Sequence, residues 1–428
     1  MKKHILILLF IGFNCSLFSQ QTPADSQTQS ILIYNAHIHI GNGEVIENGS
    51  IGFKNGKIDF VGSKANMDNY QKTINANGKH VYPGFIATNS TLGLAEVDAV
   101  RATRDEDEIG DFLPHIRAAI AYDAESKIIE SMRPNGVLVA QVTPRGGTIS
   151  GSSSIMQLDA WNWEDALIEN DEGIHLNWPN PYSRGRWWLG EDPSLKINKN
   201  YSISVKKVNT FFENAQVYSK NQIPVHLPYQ AMSGVFEGNT TLYLHAKDEK
   251  QIVDGITYLK KIGLTKIVLV GGNGAVDQLD FLKENNIPVI VSRPHRLPDN
   301  EDDDPKSAFK IASRLVNAGL LVSIDVSGSM ERMNTRNLPF YAGSFAAYGL
   351  KKEIALQLIT LNPAKILGID DLLGSLEIGK QATLFISDGD AMDMRTNIIN
   401  NAFISGREIS LETHQTKLWK RYSKKHNN

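Results

Sequence analysis

The 428-residue chain contains a single cysteine, Cys15. Once the first twenty residues are set aside, no disulfide, no cysteine-ligated zinc and no thiol nucleophile is available. Charge of one sign is also lacking, because 44 Lys+Arg against 47 Asp+Glu leave a net charge of −3. That balance gives none of the basic footprint of a nucleic-acid binder or of a protein drawn to an anionic membrane. Long apolar runs are scarce too. The apolar stretch over residues 5–13 follows Lys2 and Lys3 and gives way to Ser19, Gln20 and Gln21. It is too short to span a bilayer. A basic start, a short apolar stretch and a polar exit read as a secretory signal peptide over residues 1–20. Phe13 and Asn14 precede Cys15, where a lipoprotein signal would want small residues. The expectation is an exported, periplasmic protein with no transmembrane segment in its mature chain. With 41% hydrophobic and 21% charged residues, that chain is globular and large enough to be held by its core alone.

Residues 21–30 are polar and read as a flexible lead-in. From residue 31 the texture is short alternating strands broken by Asn-Gly pairs at 48–49, 55–56 and 77–78. Asn-Gly favours tight hairpin turns because both residues tolerate positive φ. After Pro83-Gly84 the texture changes. QIVDGITYLKKIGL, FLKENN and SAFKIASRLVNAGL have helical character, and each leads to an apolar strand, KIVLVGG, IPVIVSR and LVSIDVSG. Repeated helix–strand alternation argues for a parallel sheet covered by helices. The length available favours an α/β, TIM-type (β/α)8 barrel. Near residue 371 the strand-and-turn texture returns. The organisation expected is a barrel over 84–370 and a composite β-sandwich built from both chain ends, 31–83 and 371–412.

Three stretches carry a resemblance to a known family: ENGSIGFKNGKIDFVG (47–62), KHVYPGFIATNSTLGL (79–94) and LQLITLNPAKILGIDDLLGSLEIGKQATLFISDGD (356–390). They resemble the opening strands, the first barrel strand and the return from barrel to sandwich of the amidohydrolase superfamily, particularly its imidazolonepropionase-like and dipeptidase-like members. The resemblance implies hydrolysis of carbon–nitrogen bonds other than linear peptide bonds. It also implies one or two metal ions that acidify a bound water and polarise the scissile group. His245 in LYLHAKDE resembles the family's metal-ligating histidine on the fifth strand. Asp325 in LVSIDVSG resembles the eighth-strand aspartate, a metal ligand and the proton acceptor from the attacking water.

The sequence departs from the family where the first strand should read Asp-x-His-x-His. It reads Ala87-Thr88-Asn89-Ser90-Thr91, so Asn89 and Thr91 replace both histidines. Neutral oxygen ligands bind transition metals far more weakly than imidazole. Gly271 and Gly272 stand where a sixth-strand histidine is expected, and no bridging lysine is evident. Two readings follow. One is a hydrolase with an altered or mononuclear site holding one divalent ion such as zinc, with His226 or His295 as recruits for the third ligand. The other is an inactive relative without metal that binds a small ligand or a partner protein.

Arg293, His295 and Arg296 end the strand IPVIVSR and would suit a substrate carboxylate at the barrel mouth. The expected partner is thus a small-molecule or peptide-like substrate. A homo-oligomer is one admissible state. The loop 145–151, RGGTISG, offers a backbone nest for an anion. The acidic run 299–304 reads as a solvated loop. Five tryptophans between 161 and 188 could roof the pocket. His37-Ile38-His39 is a His-x-His on the opening strands, where the family has no ligands, and reads as a surface pair.

Overall fold

The computed structural model describes residues 22–192, 194–298, 302–328 and 330–426. The segment read as a signal peptide lies outside the described residues. Eight strands close into a barrel: β1 (Phe85–Ser90), β2 (Val137–Val142), β3 (Ile149–Gln157), β4 (Leu167–Asn177), β5 (Thr241–Ala246), β6 (Ile267–Gly271), β7 (Val289–Ser292) and β8 (Val322–Asp325). β8 returns to β1 through the Asp325–Thr88 pair.

Seven of these strands run parallel, but β3 is antiparallel to both β2 and β4. The barrel is therefore TIM-like in closure without being a strict (β/α)8 repeat. The cause is local. Residues 143–148 leave no room for a crossover helix, and Gly146 and Gly147 take φ of 81° and 58°, which reverses the chain. The expected helix–strand alternation holds over the second half. Helix Glu249–Lys261 opens with a capping box between Asp248 and Gln251 and buries Ile252, Ile256 and Leu259 at helical spacing. Helix Ser307–Asn317 does the same with Ile311, Ala312 and Leu315.

The interior of the barrel divides by height. Ile86, Val139, Val268 and Ile290 pack with Ile366, Ile369 and Leu373 into an apolar floor at the N-terminal ends of the strands. Above it the inward side chains turn polar. Below the barrel, strands from both chain ends hydrogen-bond as one eight-stranded sheet. His80–Pro83 pairs antiparallel with Leu384–Ser387, joining the two ends. The sequence led us to expect a sandwich, whereas the pairing is that of one continuous sheet with a core of Ile33, Ile51, Phe53, Val81, Leu384 and Phe403. No helix among the described residues is long and apolar enough to cross a membrane.

Candidate active site at the barrel mouth

The C-terminal ends of β1, β2 and β8 meet at Asn89. Its backbone is left-handed, with φ of 53°, a conformation asparagine tolerates better than most residues. The amide Nδ2 donates to Asp325 Oδ1 at 2.9 Å. Asn89 Oδ1 accepts from Arg145 Nη1 at 2.9 Å, and its carbonyl accepts from Arg145 Nη2 at 2.8 Å. One neutral amide thus links a fixed cation to a carboxylate, its dipole aligned with both. Arg145 also reaches Glu331 at 3.2 Å, and Thr91 donates its hydroxyl proton to the same carboxylate. Asp325 accepts from the backbone N and the hydroxyl of Ser327, both at 2.8 Å. Burial pushes Asp325 above the usual carboxylate range, against the opposing pull of these bonds and of Arg145.

A second set rises from inside the barrel. His245 on β5 lies with Nε2 2.8 Å from Nδ1 of His175 on β4. His175 Nε2 is 2.8 Å from Ser153 Oγ on β3, and its ring stacks on Tyr243 at 4.7 Å and 8°. Ser153 donates to Glu172, which also accepts from Gln141 Nε2 at 2.7 Å and Tyr243 Oη at 2.8 Å. Burial, then the charges of Arg145 and Lys247, lowers His245 to about 3. Burial, then His245 and Arg145, holds His175 well below the ordinary imidazole range. Both are neutral rings at physiological pH.

This donor set does not fit a catalytic metal centre. His245 and His175 spend one nitrogen each on the other. Asp325 is hydrogen-bonded at both oxygens. Arg145, a permanent cation, is bonded to Asn89, where the first-strand imidazole was expected. No group of three His, Cys, Asp or Glu side chains among the described residues is arranged to hold a metal ion, and a mononuclear site needs about three.

The remaining sequence candidates scatter. Arg293 packs beside Gly328, just past β8. His295 turns outward, 2.9 Å from Ser344 Oγ and edge-on to Tyr341. Arg296 lines a separate cleft of about 790 Å³ with Lys247, Asp248 and Arg184. His226 caps helix Leu227–Ala231 and stacks on Tyr229, so it makes no third ligand. The loop read as an anion nest is the β2–β3 turn. Its Thr148 N and Oγ1 bind the chain's own Asp111 carboxylate at 3.0 and 2.6 Å. The tryptophans do not gather into a roof. Trp178 is buried, Trp161 lines a cleft beside Asp159 and Arg407, and Trp187 and Trp188 are exposed. His37 and His39 flank His80 on the terminal sheet, and His39 Nδ1 is 2.9 Å from Glu353. Sequence reasoning missed His175, Glu172, Gln141 and the inward aim of Arg145. The one available signal was the alternation Ile174-His175-Leu176, which places a histidine opposite two core residues.

Comparisons with known proteins agree with the barrel fold. The model of the amidohydrolase family matches residues 259–409, a segment that contains Asp325 and β6 to β8. A 5'-deoxyadenosine deaminase from Methanobrevibacter smithii is 23% identical over 378 residues, 81% of each chain. A 5-methylthioadenosine/S-adenosylhomocysteine deaminase from Thermoanaerobacter pseudethanolicus is also 23% identical, over 81% of this chain and 82% of its own. Among solved structures, an amidohydrolase from Thermotoga maritima superposes with a TM-score of 0.76 at 22% identity, over 88% of this chain and 99% of that one. An adenosine deaminase from Xanthomonas campestris with bound zinc gives 0.51 at 14% identity, over 91% and 93%. Residues 259–409 thus match the amidohydrolase family, and over most of its length the chain is similar to deaminases of that kind and shares the fold of a solved amidohydrolase.

Proposed function

We propose that this chain is an exported, altered member of its hydrolase class that acts on a carbon–nitrogen bond other than a linear peptide bond in a small molecule bound at the barrel mouth. The observation that carries the reading is Asp325. It stands at the C-terminal end of β8, clamped by Ser327 and Asn89, and burial raises its pKa. That direction makes a carboxylate a stronger base. In this role Asp325 takes the proton from an attacking water and hands it to the leaving nitrogen. Arg145 supplies a fixed positive charge beside the developing anion, and no step runs through a metal ion. The relatives' names make aminopurine nucleosides the substrate class to test first, with cyclic amides and peptide-like amides next. Self-association is part of the proposal only as a state to be measured.

A second reading is a non-catalytic relative that binds a small ligand or partner. It is favoured by the mutual satisfaction of Asn89, Arg145, Glu331 and Asp325, which leaves few polar atoms uncommitted. Ammonia release from 5'-deoxyadenosine and related amines separates the two. Turnover that drops roughly a hundredfold or more in Asp325→Asn supports the hydrolase. Turnover unchanged in Asp325→Asn rejects the role of Asp325. No turnover with any substrate, but saturable binding, selects the second reading.

A further inference from the structure

A chain of hydrogen bonds with a defined direction runs through the barrel interior, and its far end is His245. Direction can be assigned from a backbone group, whose role is not in question. Asn89 N–H donates to Gln141 Oε1 at 2.9 Å. This fixes the Gln141 amide, so its Nε2 is the donor to Glu172 Oε1 at 2.7 Å. Glu172 Oε1 is therefore an acceptor. Glu172 Oε2 accepts from Tyr243 Oη at 2.8 Å, so the carboxylate is an acceptor at both oxygens. Ser153 Oγ must then give its one proton to Glu172 Oε1, since two oxygens at hydrogen-bond distance with no proton between them repel. With that proton committed, Ser153 Oγ can only accept from His175 Nε2–H. A neutral His175 protonated on Nε2 has a bare Nδ1, which accepts from His245 Nε2–H.

We propose that the chain Asn89–Gln141–Glu172–Ser153–His175 holds His245 as its Nε2–H tautomer, so that the bare Nδ1 of His245 is presented as a hydrogen-bond acceptor at the barrel mouth. Ser153, His175 and Glu172 are positioning residues acting through His245. The inference deepens the proposed function, since it assigns the mouth a site that selects an N–H or O–H donor on the ligand over a carbonyl or carboxylate oxygen. It also couples the β1 end, where Asn89 holds Asp325, to β5 on the other side of the barrel.

The test is tautomer assignment by nitrogen-15 NMR of the full-length protein labelled on histidine, with the His245 signals identified by their loss in His245→Gln. The expected result at pH 7.5 is a neutral His245 with its proton on Nε2. Ser153→Ala removes the acceptor for His175 Nε2–H and should give a mixture of His245 tautomers. Glu172→Gln keeps an oxygen at the Oε1 position and should retain the wild-type tautomer, a rescue that a general loss of packing would not show. A wild-type His245 protonated on Nδ1, or a tautomer unchanged in Ser153→Ala, overturns the proposal. Because the readout needs no turnover, an inactive protein with the expected tautomer rejects the hydrolase reading and leaves this inference standing.

Discussion

Asn89 shows how a single residue changes what a barrel mouth can hold. The sequence made the loss of imidazole at 89 and 91 plain, but not what fills the space. Arg145 does so, 2.9 Å from Asn89 Oδ1 and 3.2 Å from Glu331. Its position was not legible because it depends on the β2–β3 turn, which lies far in sequence from any ligand motif. Restoring histidine at 89 and 91 alone should not create a tight metal site, because a divalent ion there would meet a guanidinium at short range in a partly buried setting. The Asn89→His, Thr91→His double variant should take up far less than one zinc per chain after dialysis, because Arg145 stays beside the new imidazoles. Adding Arg145→Met to the pair should raise the uptake. Elemental analysis by mass spectrometry reads both. Stoichiometric zinc in the double variant would show that Arg145 does not exclude the ion.

At the scale of elements, the second half of the barrel was readable from its helix–strand alternation, whereas in the first half the opening strand was placed but the β2–β4 hairpins were not. Helix Glu249–Lys261 and the strand after it announce themselves through period, capping and apolar runs. β3 does not: ISGSSSIMQ is rich in serine and glycine, and its inward polar face gives no apolar alternation. The hairpin that replaces an expected helix rests on Gly147. A Cβ there would lie 2.8 Å from the Asp111 carbonyl, in a backbone with φ of 58°. Gly78 has a similar φ of 78° in the terminal sheet but open space around it. Gly78→Ala should therefore cost only the conformational strain, about 1 kcal/mol. Gly147→Ala adds a backbone clash and should cost roughly 2–3 kcal/mol. Urea unfolding of the two variants reads the difference, and equal losses would mean that the turn yields without moving its neighbours. If the turn shifts, Arg145 shifts with it, so Gly147→Ala should also weaken ligand binding at the mouth.

For the whole molecule, the barrel carries its polar chain through a region that most of its interior keeps apolar, and this must register in global stability. Glu172 lies in the middle of that chain, between Gln141 and Ser153. Burial raises it to about 7 from an ordinary 4.5, despite the bonds from Ser153, Gln141 and Tyr243 that pull the other way. The folded state therefore binds this proton more tightly than the unfolded state. Between pH 4.5 and 7 the folded chain holds more of it, so raising the pH through this window lowers stability. The contribution is fully present below pH 4.5 and lost above 7, with a magnitude on the order of 3 kcal/mol. A glutamine at this position has no proton to lose. Relative to wild type, Glu172→Gln should gain about that amount between pH 4.5 and 7.5 in denaturant unfolding, while Asp325, His175 and His245 titrate alike in both proteins and cancel. A difference that stays flat across the window would mean that Glu172 is ionised throughout. The carboxylate would then be held by its three donors strongly enough to outweigh burial, and the polar chain would be anchored by a full charge inside the barrel.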